Sequence, residues 1–473
     1  MKTNGLGWFA TVLLVGIGYA SAQGPEKPTA PVDSGPIAAR RVGEILKFLA
    51  SDELAGRDTP SPGLERAARF LADGFKAAGL RPVGKDGSYL LMYEQPGVEV
   101  DSTKIALTIY TRPANGEQKN QDEASAEAPE QATKLVGDVD VRLLTPPRQA
   151  FARSGKESEA LVIEESLAGR RLGRAASRKP VLIVVDEAKS ALWKVCGGKR
   201  QLFDSPRMQR APWLLVRAKA LPKGTVTRID VKVPEPQRVT LKLHNVAALW
   251  PGTDRAKELV MFSAHYDHLG VKLPRRGDWI FNGADDDASG TTAVLALAEA
   301  FAKHKTKLGR SLLFVCYSGE EKGMLGSRAF AENPPVRLAD VVANLNLEML
   351  GRPMPGKQRC CWITGRDLSD FEQVATRGLK RAGIECIEFA QARGLFYASD
   401  NISLVRKGVV AHSISAGSLH SDYHRPTDEF AKIDLPHMTA VIHGIYEAGL
   451  EFANRAGRPR YNERGEEMLE RMR

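Results

Sequence analysis

The chain has 473 residues, 43% of them hydrophobic and 26% charged, which is enough for two or three domains around an ample core. Lysine and arginine outnumber aspartate and glutamate by 67 to 57, a net charge of +10. Apart from "GRRLGRAASRK" (169–179) and the stretch after Arg455 the cations are spread out, with no stacking aromatics among them, so the composition speaks against a nucleic-acid partner.

The N-terminus, "MKTNGLGWFATVLLVGIGYASAQ", has one lysine, an apolar run from Gly5 to Tyr19 and the small-x-small site Ala20-Ser21-Ala22. This predicts a secretory signal peptide over 1–22. The run is short for a membrane span and no later segment is long and apolar enough to cross. The expectation is an exported protein, periplasmic or extracellular, with no transmembrane anchor after cleavage.

A Pro-rich spacer (23–36) leads into two stretches with helical apolar spacing, "IAARRVGEILKFLASDELAG" and "GLERAARFLADGFKAAGL", the second stopped by Gly79 and Pro82. They belong to a first segment, 37–95. Residues 96–236 differ in texture: β-rich runs ("KIALTIYT", "KPVLIVVD", "APWLLVRA", "RIDVKV") surround a polar, low-complexity stretch near 115–133, expected as a mobile loop. From 237 to 455 apolar strands alternate with helices, and 456–473 form a charged tail. This order predicts an α/β fold: a mostly parallel mixed sheet sandwiched by helices, with an inserted β-rich domain. Five cysteines make no dense disulfide framework; Cys316 reads as buried filler, and Cys360 or Cys361 could pair with Cys386.

In such sheets functional residues gather beyond the carboxyl ends of the strands. Here "ELVMFSA" ends at His265-Tyr266-Asp267, "RSLLFVCYSG" at Glu320-Glu321 and "VVANLNL" at Glu348. The helix-opening turn "NGADDDASG" sets three aspartates side by side, and "LHSDYHRPTDEF" adds His424. One acidic residue is enough to cap a helix, so the surplus suggests a cation among them. Singly, each residue has a plain explanation as a cap, a solvated pair or a satisfied histidine. Together, two imidazoles and several carboxylates at successive strand ends suit Zn²⁺, or two Zn²⁺ ions bridged by one carboxylate.

Five stretches in order, "SAHYDHLG", "NGADDDASG", "YSGEEKGMLGS", "NLNLEMLGR" and "SDYHRPTDE", resemble the co-catalytic di-zinc exopeptidases, the family of bacterial leucyl-type aminopeptidases and the glutamate carboxypeptidase II group. "LASDELAGRDTPSPGLERAARFLADGFKAAGL" resembles their first helices, and the middle looks like an inserted protease-associated domain. The resemblance implies two Zn²⁺ per chain, one on His265 and Glu348, the other on Glu321 and His424, with Asp286 between them. Asp285 and Asp287 are then left to the turn. It also implies Glu320 as general base, Asp267 as the carboxylate orienting His265, and Tyr397 as an oxyanion partner. Two positions depart from the pattern: Glu348 stands where aspartate is more usual in aminopeptidases, and Asn401 where many relatives have histidine. The implied reaction is hydrolysis of N-terminal residues from peptide substrates. Alternatives are a carboxypeptidase using Arg352, Arg359 or Arg393, a single-zinc glutaminyl cyclase, or a binding ectodomain without catalysis.

Overall fold

The computed structural model describes residues 35–113, 129–147, 149–156, 160–166, 179–204, 211–273 and 279–472. The expected signal peptide, nearly all of the Pro-rich spacer and most of the polar stretch near 115–133 lie outside these described residues.

The main sheet has ten strands, here numbered in chain order: β1 (Arg81–Pro82), β2 (Leu90–Asp101), β3 (Lys199–Phe203), β4 (Gln237–Trp250), β5 (Arg255–His265), β6 (Arg310–Tyr317), β7 (Val341–Leu347), β8 (Cys360–Ile363), β9 (Glu385–Cys386) and β10 (Ala411–Ser415). Their order across the sheet is β9-β8-β10-β7-β5-β6-β4-β2-β3, with β1 paired to β4. The central run β6-β5-β7-β10 is parallel, whereas β4 and β2 are antiparallel to their neighbours. The sequence pattern follows from burial. Every residue of β6, β7 and β10 is buried, the polar Asn344, Asn346 and His412 among them, so these strands have no solvent-facing side.

Helices flank the sheet. Two of them are α1 (Ala39–Leu49) and α2 (Pro62–Ala77). α2 is started by Ser61, whose Oγ accepts the Leu64 N–H at 3.1 Å, followed by Pro62, whose missing N–H costs nothing there. Helix α3 (Gly290–Ala302) is buried nearly all round, because sheet, α1, α2 and the C-terminal α4 (Leu435–Asn454) all pack on it. Phe262 on β5 and its register partner Phe314 on β6 stack at 5.3 Å, with Phe301 of α3 against both. Full burial of each such ring contributes roughly 1.5–3 kcal/mol. The last helix, Glu463–Met472, sinks Met468 and Leu469 into the same core.

Between β2 and β4 lie two four-stranded sheets. One is ordered Gln131–Val136, Ala106–Arg112, Thr225–Val233, Phe151–Lys156; the other Val141–Thr145, Trp213–Arg217, Val181–Val185, Leu161–Glu164. Leu107, Ile109 and Val231 of the first share a core with Leu143, Leu182 and Leu214 of the second, separate from the main one. β3, from the same part of the chain, instead edges the ten-stranded sheet. Among the described residues no helix is long and apolar enough to cross a membrane.

Candidate metal centre

β5 ends on His265, β6 turns through Gly319 into Glu320 and Glu321, and β7 runs into Glu348. The parallel register sets these ends side by side, Asp286 enters on the turn before α3, and His424 comes from the loop beyond β10. His265 Nε2 lies 3.4 Å from Asp286 Oδ1 and 3.7 Å from Glu348 Oε2. On the other side, His424 Nε2 lies 3.1 Å from Asp286 Oδ2 and 3.3 Å from Glu321 Oε1. Asp286 thus turns one oxygen to each group.

The three aspartates of the turn have separate tasks. Asp287 accepts the N–H groups of Gly290 (3.0 Å) and Met349 (3.1 Å), capping α3 and fixing the loop after Glu348. Asp285 accepts the Gly351 N–H at 2.6 Å and faces His420 Nε2 at 3.2 Å. Asp286 sends its carboxylate into the centre, while its own N–H and that of Asp285 are held by Asp428, each at 3.1 Å. The Asp286–Asp287 peptide is cis.

Supporting side chains aim the others. Asp267, fully buried, accepts the Glu320 N–H at 3.1 Å on one oxygen and the Thr59 hydroxyl at 3.1 Å on the other, and its own first oxygen is 3.7 Å from His265 Nδ1. The group that faces the imidazole therefore also anchors the neighbouring Glu320. Glu348 accepts from Asn346 at 3.2 Å and from Ser399. Asn401 bonds the Phe396 carbonyl (3.1 Å) and Ser413 (3.1 Å), which makes it a brace for this network. His424 sits at φ 54° and Met349 at φ 52°, left-handed conformations that cost a side-chain-bearing residue on the order of 1 kcal/mol each and that cluster at functional sites.

The donor set fits a metal. His268 Nδ1, Asp286 Oδ2 and Glu321 Oε1 are buried and make no hydrogen bond among the described residues. Buried polar atoms without partners are rare unless something else fills the gap. Imidazole nitrogens and carboxylate oxygens within 4.8 Å of one another form two groups, His265-Asp286-Glu348 and His268-Asp286-Glu321, the nitrogen–oxygen chemistry of a zinc site. Against burial, which opposes charge, the histidines hold Asp286 well below the usual carboxylate range and bring Glu321 down to about 2. Burial, with Asp400, Glu348 and Glu321 nearby, pushes Glu320 well above it.

Of the residues expected from the sequence, His265, Asp286, Glu321, Glu348 and His424 meet in this cluster, and Glu320 and Asp267 adjoin it. Tyr397 is 49% exposed, with its ring edge-on to Phe396. Three contributors were missed. His268 lies inside the cluster. Tyr423 stacks on His424 at 3.9 Å. Arg57, wholly buried, donates to the carbonyls of Tyr266 (2.8 Å), Asn282 (2.6 Å), Gly283 (3.1 Å) and Leu49, stitching the β5 end to the aspartate turn. Burial lowers the Arg57 guanidinium to about 10, with Asp267 and Asp286 opposing. The signal for His268 was its place in "HYDH"; for Arg57 there was none.

A mixed sheet that carries two donor groups joined through one aspartate beyond its parallel strand ends is the architecture of an α/β metallohydrolase. Residues 245–448, the part holding every donor, match the profile described as Peptidase family M28. The chain is 27% identical over 244 residues, 49% of its length, to a probable leucine aminopeptidase of Arthroderma otae, and 26% identical over 241 residues to leucine aminopeptidase 1 of Trichophyton equinum. The matches span 62% and 63% of those relatives' lengths. The solved structure of a zinc aminopeptidase from Bacillus subtilis aligns over 88% of this chain and 95% of its own at 14% identity, with a TM-score of 0.49.

Proposed function

We propose that the chain is an exported aminopeptidase that uses two zinc ions to release N-terminal residues from unblocked peptides. The observation that carries this is Asp286, which offers Oδ1 to one donor group and Oδ2 to the other. A site for a single ion has no use for two such groups.

His265 and Glu348 would hold one ion, Glu321 and His424 the other, and Asp286 both. When bound, zinc polarises a carbonyl oxygen and acidifies water. Glu320 is the base in this reading: it accepts a proton from the attacking water and returns it to the departing amine, from a position that the Asp267 carboxylate fixes through the Glu320 N–H. Asp267 keeps Glu320 and His265 in fixed relation: its carboxylate accepts the Glu320 N–H at 3.1 Å and its backbone carbonyl meets His265 Nδ1 at 3.1 Å. Tyr397 or the half-buried Tyr423 would stand near the developing oxyanion.

Polarity follows from the arginines. A carboxypeptidase needs a free cation for the terminal carboxylate. Arg352 is paired with Asp422 at 3.2 Å, Arg359 donates to the carbonyls of Ala382 (2.7 Å) and Gly383 (3.3 Å), and Arg393 is paired with Asp367 at 3.1 Å. A pocket rich in carboxylates suits a peptide's α-ammonium better.

We place the inserted domain at 96–236 and read it as a wall of the cleft. Its helix residues Leu192 and Trp193 share a cluster with Val271, Leu273 and Trp279, on the hairpin that follows His268. The test uses free and N-acetylated peptides with and without chelator. The reading expects cleavage of free peptides alone, lost with chelator and restored by Zn²⁺; C-terminal trimming of the acetylated peptides would overturn the polarity.

A further inference from the structure

His268 is fully buried, and neither of its ring nitrogens makes a hydrogen bond among the described residues. Its Nδ1 lies 2.8 Å from Glu321 Oε1 and 3.8 Å from Asp286 Oδ2, the two oxygens that His424 Nε2 faces at 3.3 and 3.1 Å. The buried His268 Nδ1, Asp286 Oδ2 and Glu321 Oε1 meet no hydrogen-bond geometry among the described residues, although they converge on one point of the cluster. Donor atoms around one zinc, each about 2.0–2.1 Å from it, lie roughly 3.3 Å from one another in a tetrahedron, and the four distances scatter about that value. The two rings stand edge to face with centroids 5.8 Å apart, close to the spacing of about 5–6 Å expected of imidazoles on one small cation.

The chain also makes room for this ring. Gly283 has φ 55°, and a β-carbon there would come within 2.5 Å of the His268 ring and 2.2 Å of the Asp286 carbonyl oxygen. A glycine is required where the aspartate turn passes over the imidazole.

We infer that His268 is a direct metal ligand, a third imidazole that completes a four-donor site with His424, Glu321 and Asp286. The inference rests on the two-zinc reading above. It makes the two sites unequal. The His268 site has four protein donors and is closed, the arrangement of tightly held ions. The His265 site has three and keeps a position open for substrate.

The obvious competing role for His268 is to steer Glu321 from behind without touching the metal. X-ray absorption of the zinc-loaded full chain separates the two. With His268→Cys, a ligand puts sulfur at about 2.3 Å from zinc, a shell absent from the unsubstituted protein. Two zinc ions retained with no sulfur shell would overturn the inference and leave the two-zinc reading intact. If the cysteine variant does not fold, the unsubstituted protein decides: three imidazoles over two ions support a ligand, two overturn it. In His268→Ala, one of the two ions should be lost to a chelator at least 100-fold more readily and the other unchanged; equal retention of both overturns the inference. An unsubstituted protein that binds no zinc fails the two-zinc reading itself.

Discussion

The ten-stranded sheet and the β-rich module between β2 and β4 treat their acidic groups differently. In the module the acids find hydroxyl partners, although Trp213 Nε1 stays without one among the described residues. Glu165, its buried carboxylate, is answered by Ser190, which in turn accepts the Trp193 N–H at 3.0 Å, and Asp230 takes the hydroxyls of Tyr110 and Ser154. At the sheet's strand ends three buried donor atoms, His268 Nδ1, Asp286 Oδ2 and Glu321 Oε1, are positioned by others yet left without hydrogen-bond partners among the described residues. A polar group that is buried and satisfied serves the fold; one that is buried, braced and unsatisfied serves a ligand. Substitutions in the two regions should therefore separate function from stability.

The largest effect belongs to Asp286→Ala. It removes the carboxylate that both donor groups face, so zinc content and peptidase activity should both fall to background. The fold should survive, because the sheet and α3 have a core of their own and a crowded buried charge has been removed. Elemental analysis and a thermal melt on the same sample check this; retention of zinc would break the contrast at its centre.

The Glu320/Glu321 pair sharpens it within the site. Glu320→Gln should keep zinc and lose roughly two to four orders of magnitude in turnover, the range for removing a general base. Glu321→Gln should lose metal first, since its oxygen is one of the unpartnered atoms. Swapped phenotypes would exchange the proposed roles.

Leu214→Ala tests the other region. Leu214 is wholly buried in the module's core, and its truncation should cost about 2–5 kcal/mol, read as a lower denaturant midpoint. Zinc content should stay as in the unsubstituted protein. A loss of zinc in the folded variant would mean that the module helps to hold the centre.

These contrasts also show what the residues disclose before the fold is known. The strand ends were legible because β5, β6 and β7 are buried on both faces, so each apolar run stops where polar chemistry begins. His265 and Glu348 sit directly at those stops, whereas Glu321, four residues past β6, was singled out by the family resemblance. Arg57 was not legible: an arginine in a turn rich in Asp, Glu and Thr has the look of a surface residue, and only the return of β5 and the aspartate turn makes it a clamp. His268 lies three residues past the end of its strand, where spacing no longer tells which way a ring points. The edge position of β3 was equally hidden, since its partner β2 is about a hundred residues distant and its burial is intermediate.

The smallest effect concerns pH and again divides the regions. Glu165 is a single buried carboxyl in the module, and burial pushes it up to about 7, with the Ser190 hydroxyl opposing. In the unfolded chain a glutamate titrates near 4.3. Between these values the folded module keeps a proton that the unfolded chain has released, so its stability declines as pH rises. The contribution is fully present below about pH 4.3 and is lost on passing 7. Glu165→Gln keeps an acceptor for Ser190 and has no proton to lose. Denaturant midpoints from pH 5 to 8, followed through module residues such as Trp193 and Trp213, should therefore slope downward in the unsubstituted protein and flatten in the variant. The same slope in both would assign the dependence to some other group and remove Glu165 as the module's titrating carboxyl.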